Sequence, residues 1–432
     1  MPRFDPLWFA SPILVGLLAL SGCGGQPSTD RQAADETPAE TPGPKVVPGT
    51  DLAGDLARAQ AFLATRPEYE QPLGVGLKPP EGVQSSSAAS CGRCHTQIYA
   101  EWKVSTHALA WKDRQFQAEG GKSGNRWLCV NCHTPMLSQH DQWPVGLQQD
   151  DVDLPILVQN PALDEGLRDE GITCVGCHVV DGVIHGPGLS NSHPPHEVVA
   201  DPRFTDNRVC LRCHQAVATY PGKQYACTFA TGTEWAAGPY AAAGKGCADC
   251  HMPRAEMPVA EDGPVRSVPR HWWRGAGIPK VAGIQPPLKA NPPGLGLAAT
   301  WTDAGVHVVA TNAHAGHDLP TGDPERWVQI DVRYEDAKGQ PVGTPGSERI
   351  GQTWKWYPVA EKVGDNRLAP RASRDWTVPL PDGATRAVVE ASSHRMTQET
   401  ADYHHLDGYP RFLVTHHLVV TPQGTTGGVV AK

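Results

Sequence analysis

Ten of the twelve cysteines in this 432-residue chain fall into one pattern, C-x-x-C-H, which occurs five times. The copies are CGRCH (91–95), CVNCH (129–133), CVGCH (174–178), CLRCH (210–214) and CADCH (247–251). Two thiols three positions apart can add to the two vinyl groups of a haem, and the adjacent imidazole can then ligate its iron. Zinc ribbons also pair cysteines at this spacing, but they do not need a histidine after every second cysteine. A disulfide framework does not repeat one two-residue spacing five times. The sequence therefore predicts five covalently attached c-type haems. Their thioethers are assigned to Cys91 and Cys94, Cys129 and Cys132, Cys174 and Cys177, Cys210 and Cys213, and Cys247 and Cys250. The proximal iron ligands are His95, His133, His178, His214 and His251.

The sixth position on each iron decides its use. A second histidine closes the iron for electron transfer, whereas an open position admits a substrate. Every motif ends in His, so no site is marked as specialised. The distal candidates are histidines outside the motifs. His107 lies in AEWKVSTHALAW, a helical stretch whose Trp102 could cover a haem. His185 lies in VVDGVIHGPG, where glycines let the backbone approach closely. His193 and His196 follow in SHPPHEV, and His271 stands against two tryptophans in PRHWWRGAGIP. His107, His185, His196 and His271 are the distal assignments here, with His140 a weaker candidate.

These residues need elements to hold them. From one motif's histidine to the next motif's first cysteine is 32–41 positions, too little for an independent hydrophobic core. The haems must then serve as the core, closely packed, with short helices and loops around them. The 45 glycines and 41 prolines agree with a loop-rich chain.

Four segments resemble the multihaem cytochrome superfamily that includes the nitrification tetrahaem cytochrome and hydroxylamine oxidoreductase. They are EWKVSTHALA (101–110), CVNCHTPM (129–136), EGITCVGCH (170–178) and TEWAAGPYAAAGKGCADCHMP (233–253), within about residues 88–275. The resemblance implies a distal role for His107, which follows W-x-x-S-x, and it includes Pro135 and Pro253 after the haem histidines. Two segments also resemble each other. Glu101-Trp102 leads to His107-Ala108, and Glu234-Trp235 leads to Tyr240-Ala241, a weak internal repeat. Tyr240 stands where the first copy has a ligand, and it either packs on a haem or faces an open iron.

From about Leu295 the texture changes to strand-like runs: GVHVVATN, RWVQIDVRYED, RDWTVPL, RAVVEASS and RFLVTHHLVV. Val328, Ile330, Val332 and Tyr334 alternate with Trp327, Gln329, Asp331 and Arg333, as in a half-exposed strand. This pattern predicts a cysteine-free, immunoglobulin-like β-sandwich. Its loop NAHAGHDLPTG (312–322) resembles the G-H-x-L-P-T-G turn of β domains appended to such cytochromes. That resemblance implies His317 as a distal ligand reaching across to a haem, with His314 the weaker choice. His416 and His417 point to opposite faces of one strand, one inward and one outward.

The N-terminus reads as an export signal with the apolar run PILVGLLAL, too short to span a membrane. Leu20-Ser21-Gly22-Cys23 matches a bacterial lipobox, so Cys23 is the expected lipidation site and membrane anchor. The Pro- and acid-rich stretch that follows reads as a tether. Helical structure is expected where Leu52, Leu56, Ala59 and Leu63 share a face. Cys227 is the remaining thiol, either free and buried or paired between molecules.

The expected architecture is an α+β multidomain chain: a signal peptide (1–22), a disordered tether (23–50), a short-helix-rich pentahaem domain (51–290) and a β-sandwich (291–424). The net charge of −9 and the lack of a basic stripe argue against nucleic acid. The expected function is electron transfer by an exported lipoprotein, in the periplasm or at the outer membrane. Other multihaem cytochromes, a porin-type complex or further copies in a filament are the expected partners. The alternative is a multihaem oxidoreductase that acts on a small nitrogen or sulfur compound at one open haem.

Overall fold

A computed structural model describes residues 43–430 except 75–76, 121–123, 189–195, 221, 224–225, 286 and 288–292. The expected signal peptide, Cys23, His193 and the Cys227 side chain lie outside the described part. The fold is mixed α+β, with a helix-rich region followed by a β-rich one.

Residues 45–50, expected in the tether, belong to the fold. Lys45–Val46 forms a short strand parallel to Pro155–Gln159, because the β-branched Val46 and Val47 can complete its ladder. The first helix spans Leu52–Leu63, and the Asp51 side chain caps it by accepting from the Gly54 amide at 2.8 Å. Ala59 and Leu63 are buried with Trp127, Leu137, Trp143 and Val158, but Leu52, expected on the same face, is exposed.

Each C-x-x-C-H motif lies in or at the end of a short helix: Ala88–Gly92, Arg126–His133, Cys174–His178, Arg208–His214 and Cys247–His251. On a helical turn, positions i, i+3 and i+4 share a face, so both thiols and the imidazole of a motif point the same way. Small two- and three-stranded sheets fill the intervals between motifs.

The C-terminal region has nine strands: β1 (Leu295–Thr302), β2 (Gly305–Asn312), β3 (Trp327–Glu335), β4 (Pro341–Lys355), β5 (Glu361–Asp365), β6 (Ser373–Pro379), β7 (Arg386–His394), β8 (Phe412–Thr421) and β9 (Gly424–Val429). They form two antiparallel sheets, ordered β1-β2-β6 and β5-β4-β3-β7-β8-β9. One core joins them, with Val306, Val308 and Ala310 of β2 against Val328, Ile330, Val332 and Tyr334 of β3. The buried Tyr334 hydroxyl accepts from the Val306 amide and donates to the Val378 carbonyl, both at 2.7 Å.

The expected alternation of β3 holds on its inner face. Trp327, expected on the exposed face, is buried instead, stacked on His394 at 4.5 Å with Arg349 over its ring. His416 is buried, and His417 points outward to Glu390.

Candidate functional site

All ten motif cysteines and all five motif histidines line one continuous cavity of about 3740 Å³. Opposite four of those histidines stands a second imidazole. His95 faces His196, His107 faces His214 and His178 faces His271, each with ring centroids 6.3 Å apart. His251 faces His317 at 6.2 Å. A metal–imidazole bond is about 2.0 Å and the ring centroid lies about 1.1 Å behind the ligating nitrogen, so two imidazoles trans on one metal sit about 6.3 Å apart. The four pairs thus have the spacing that a shared iron requires, and the cavity wall carries the thiols that c-type haem attachment uses. The residues present fit the group.

The imidazoles are oriented through their other nitrogen. Nδ1 of His95, His178, His251, His271 and His317 donates to the carbonyls of Val259, His185, Arg274, Pro269 and Asp318 at 2.7–2.9 Å. That leaves Nε2 as the free lone pair, as in metal sites whose ligands are fixed from behind. Burial favours the neutral form of three of the paired rings: it lowers His107 and His271 to about 3 and His214 to about 4, with neighbouring imidazoles adding to the effect.

The motifs also touch one another. The Cys91 thiol meets Cys174, Cys132 meets Cys213, and Cys210 meets Cys247. Glu170 ties the first motif to the third, accepting from the Ala88 amide at 2.8 Å and the Thr173 hydroxyl at 2.7 Å. Asn207, which precedes the fourth motif helix, accepts from the Cys247 amide of the fifth at 2.9 Å. The fourth motif therefore has contacts to both the second and the fifth.

His133 is different. Among the described residues no second histidine stands across from it; Phe116 stacks on its ring at 3.9 Å, within 9° of parallel. Burial lowers His133 to about 4. Nearby, Asp113 is ion-paired with Lys280 and accepts from the Tyr409 hydroxyl, to which Arg395 also donates. Arg326 adds a further cation on the same cavity wall, and its Nε is buried without a hydrogen-bond partner. Residue patterns gave no sign of this cluster, because its members are scattered from residue 113 to residue 409.

His185 is the distal candidate that the structure does not bring opposite a motif histidine. Its Nδ1 donates to Asp201 at 2.9 Å, and its backbone carbonyl holds His178. His140 is buried, uses its Nε2 on the Thr134 carbonyl and does not line the cavity. Tyr240 packs beside the His317 loop, against Gly316 and under Arg371, rather than across from His133. That loop is set by the buried Asn312, whose side chain donates to the carbonyls of His317 and Leu368 and accepts from the Ala315 amide.

Residues 90–153 match the family described as Cytochrome c554 and c-prime. The fold is similar to the crystal structure of a penta-heme cytochrome c552 from Thermochromatium tepidum, with a TM-score of 0.55 and 17% identity. That likeness covers 81% of this chain and 100% of the other. No curated protein sequence matches the chain. The family match and the fold likeness support a multihaem c-type cytochrome.

Proposed function

We propose that this chain conducts electrons through five closely packed c-type haems, four of them held between two histidines. The observation that carries this reading is the set of four imidazole pairs at 6.2–6.3 Å. The bound haems supply one-electron chemistry. The chain's own residues fix the paired imidazoles, favour the neutral form of His107, His214 and His271, and bring neighbouring motifs into contact. The contacts between motifs run from the first to the third and from the fourth to both the second and the fifth.

The β-rich region is an immunoglobulin-like sandwich that supplies His317 from outside the haem-binding segment. In the cell the protein is an exported lipoprotein anchored through Cys23, and it exchanges electrons with other cytochromes or a porin-type complex, alone or as an oligomer. Haem propionates would add to the net charge of −9, so its partners present basic patches and rates with its physiological donor fall as salt rises.

A second reading is favoured by one observation: among the described residues no imidazole stands opposite His133. Lys280, Arg326 and Arg395 outnumber Asp113 and Asp323 there, a charge balance that suits a small anionic nitrogen or sulfur compound.

Pyridine haemochrome counting with low-temperature EPR of the ferric protein tests both readings. Five haems per chain, four low-spin and one high-spin, is the expected result. If the high-spin signal changes on adding nitrite or sulfite, the His133 site binds anions. Fewer than four low-spin haems overturns the pairing.

A further inference from the structure

The dipeptides Glu101-Trp102 and Glu234-Trp235 each lie in a short helix, Thr96–Lys103 and Thr231–Ala237. Neighbouring residues on a helix project about 100° apart, so each pair reaches in two directions at once. The structure shows where each one reaches, and the two copies agree.

Trp102 donates from its indole Nε1 to the Ile172 carbonyl at 2.8 Å, and Trp235 donates likewise to the Lys245 carbonyl at 2.9 Å. Ile172 lies two residues before Cys174, and Lys245 lies two residues before Cys247. Each tryptophan therefore holds the backbone at the same point of entry into a haem motif.

The glutamates hold the other side of the same two sites. Glu101 is buried; one carboxylate oxygen accepts from the His271 amide at 2.7 Å, and the other is ion-paired with Arg270. His271 is the imidazole that faces His178, the histidine of the motif Trp102 holds. Glu234 accepts from the Thr321 hydroxyl and from Arg367 Nη1 at 2.6 Å. Arg367 also pairs with Asp318 at 3.3 Å, next to His317. His317 faces His251, the histidine of the motif Trp235 holds. In both copies, then, a Glu-Arg ion pair stands beside the facing histidine: Arg270 precedes His271, and Arg367 pairs with Asp318, which follows His317.

We infer that each Glu-Trp pair is a positioning clamp that ties together the two sides of one iron site. The tryptophan fixes the segment entering the motif, and the glutamate fixes the loop bringing the second histidine. Glu101 and Trp102 serve the His178–His271 pair, and Glu234 and Trp235 serve the His251–His317 pair. Each glutamate acts through the groups around its histidine: Glu101 through the His271 amide and Arg270, Glu234 through the Thr321 hydroxyl and Arg367. The likeness of the two segments is then a shared device, even though His107 follows one copy and Tyr240 the other.

This inference rests on reading the two histidine pairs as axial ligands. Its test is EPR and haem counting on the full-length, haem-loaded protein carrying Glu101→Ala or Glu234→Ala. We expect five haems in each variant, with one additional haem converted from low to high spin. Combining Glu234→Ala with His317→Ala should convert no more haem than either change alone, because both act on one site, whereas combining it with His271→Ala should convert two. Trp235→Phe, which removes only the indole donor, should group with Glu234→Ala in the same scheme.

Where an alanine variant does not accumulate with haem, Glu→Gln is held to the same criteria. Glutamine keeps an acceptor but loses the charge facing Arg270 or Arg367. Variants that keep the four low-spin haems of the wild type, or whose effects add to those of their own histidine, overturn the clamp. A wild-type protein without the low-spin pairs overturns the ligation reading instead, so the two failures are distinct.

Discussion

His251 and His317 face each other with their ring centroids 6.2 Å apart and their planes 14° from parallel. One belongs to the last C-x-x-C-H motif and the other to the loop between β2 and β3. The loop's shape is fixed from within the β-rich region by Asn312 and from the helical region by Glu234. His317→Ala should therefore leave the sheets folded, with unchanged far-ultraviolet circular dichroism, and change the spin state of a single haem. Loss of more than one low-spin haem would show that the loop supports other sites too.

A second prediction concerns the close approach beneath His107. Gly171 has a φ of +62°, and a Cβ there would lie 2.8 Å from the His107 carbonyl oxygen and 3.1 Å from the Ala110 amide nitrogen. Both are backbone atoms, so neither can swing aside. The neighbouring Ile172 amide donates to that same carbonyl at 3.0 Å. Gly171→Ala should cost about 1 kcal/mol or more through strain at positive φ and should push His107 relative to His214. A lowered melting temperature together with altered EPR g values for one low-spin haem would report both effects.

Asp113 gives a pH dependence. Burial alone would raise its pKa, but Lys280, Tyr409 and Arg395 outweigh burial and hold it below the ordinary aspartate range. A carboxylate whose folded pKa is depressed stabilises the fold above its unfolded pKa of about 3.9, and that contribution is lost as pH falls through the folded value. Denaturant titrations between pH 3 and pH 6 should show stability falling toward the acid end. Asp113→Asn should be less stable at pH 6 and should show a shallower fall.

The Tyr334 hydroxyl bridges strands of the two sheets. Phenylalanine there would leave the buried Val306 amide short of an acceptor and the Val378 carbonyl short of a donor. Tyr334→Phe should destabilise the protein by about 1–3 kcal/mol, measured by chemical unfolding, with the visible spectrum of the folded protein unchanged.

The motif residues were legible in the sequence because covalent chemistry dictates both residue type and spacing. His107, His196, His271 and His317 were also singled out, and the structure brings each of them opposite a motif histidine. Their pairing was not legible, since each partnership joins residues more than sixty positions apart. His185 is not brought opposite a motif histidine, and sequence alone could not show that its ring donates to Asp201 while its carbonyl holds His178. The strands were found where apolar residues alternate; β1, β4, β5 and β9 were not among them, and β4 carries Gly343, Pro345 and Gly346. In the fold those residues lie beside the register shift between Val332 and Tyr334, and a Cβ on Gly346 would collide with the Val378 side chain 2.5 Å away. Packing between sheets, rather than a reversal of the chain, requires the small residue.

The direction in which the chain is made gives the histidine pairs an order of maturation. His107 precedes its partner His214, but His95, His178 and His251 each face an imidazole that emerges later, from residues 196, 271 and 317. The last of these lies beyond β2, inside the β-rich region. A chain halted at the start of the β-rich region would hold every cysteine needed to capture haem and would still have one site exposed that the finished protein covers. Completion of that site coincides with docking of the β-rich region, so the closing imidazole also marks that the whole polypeptide has arrived.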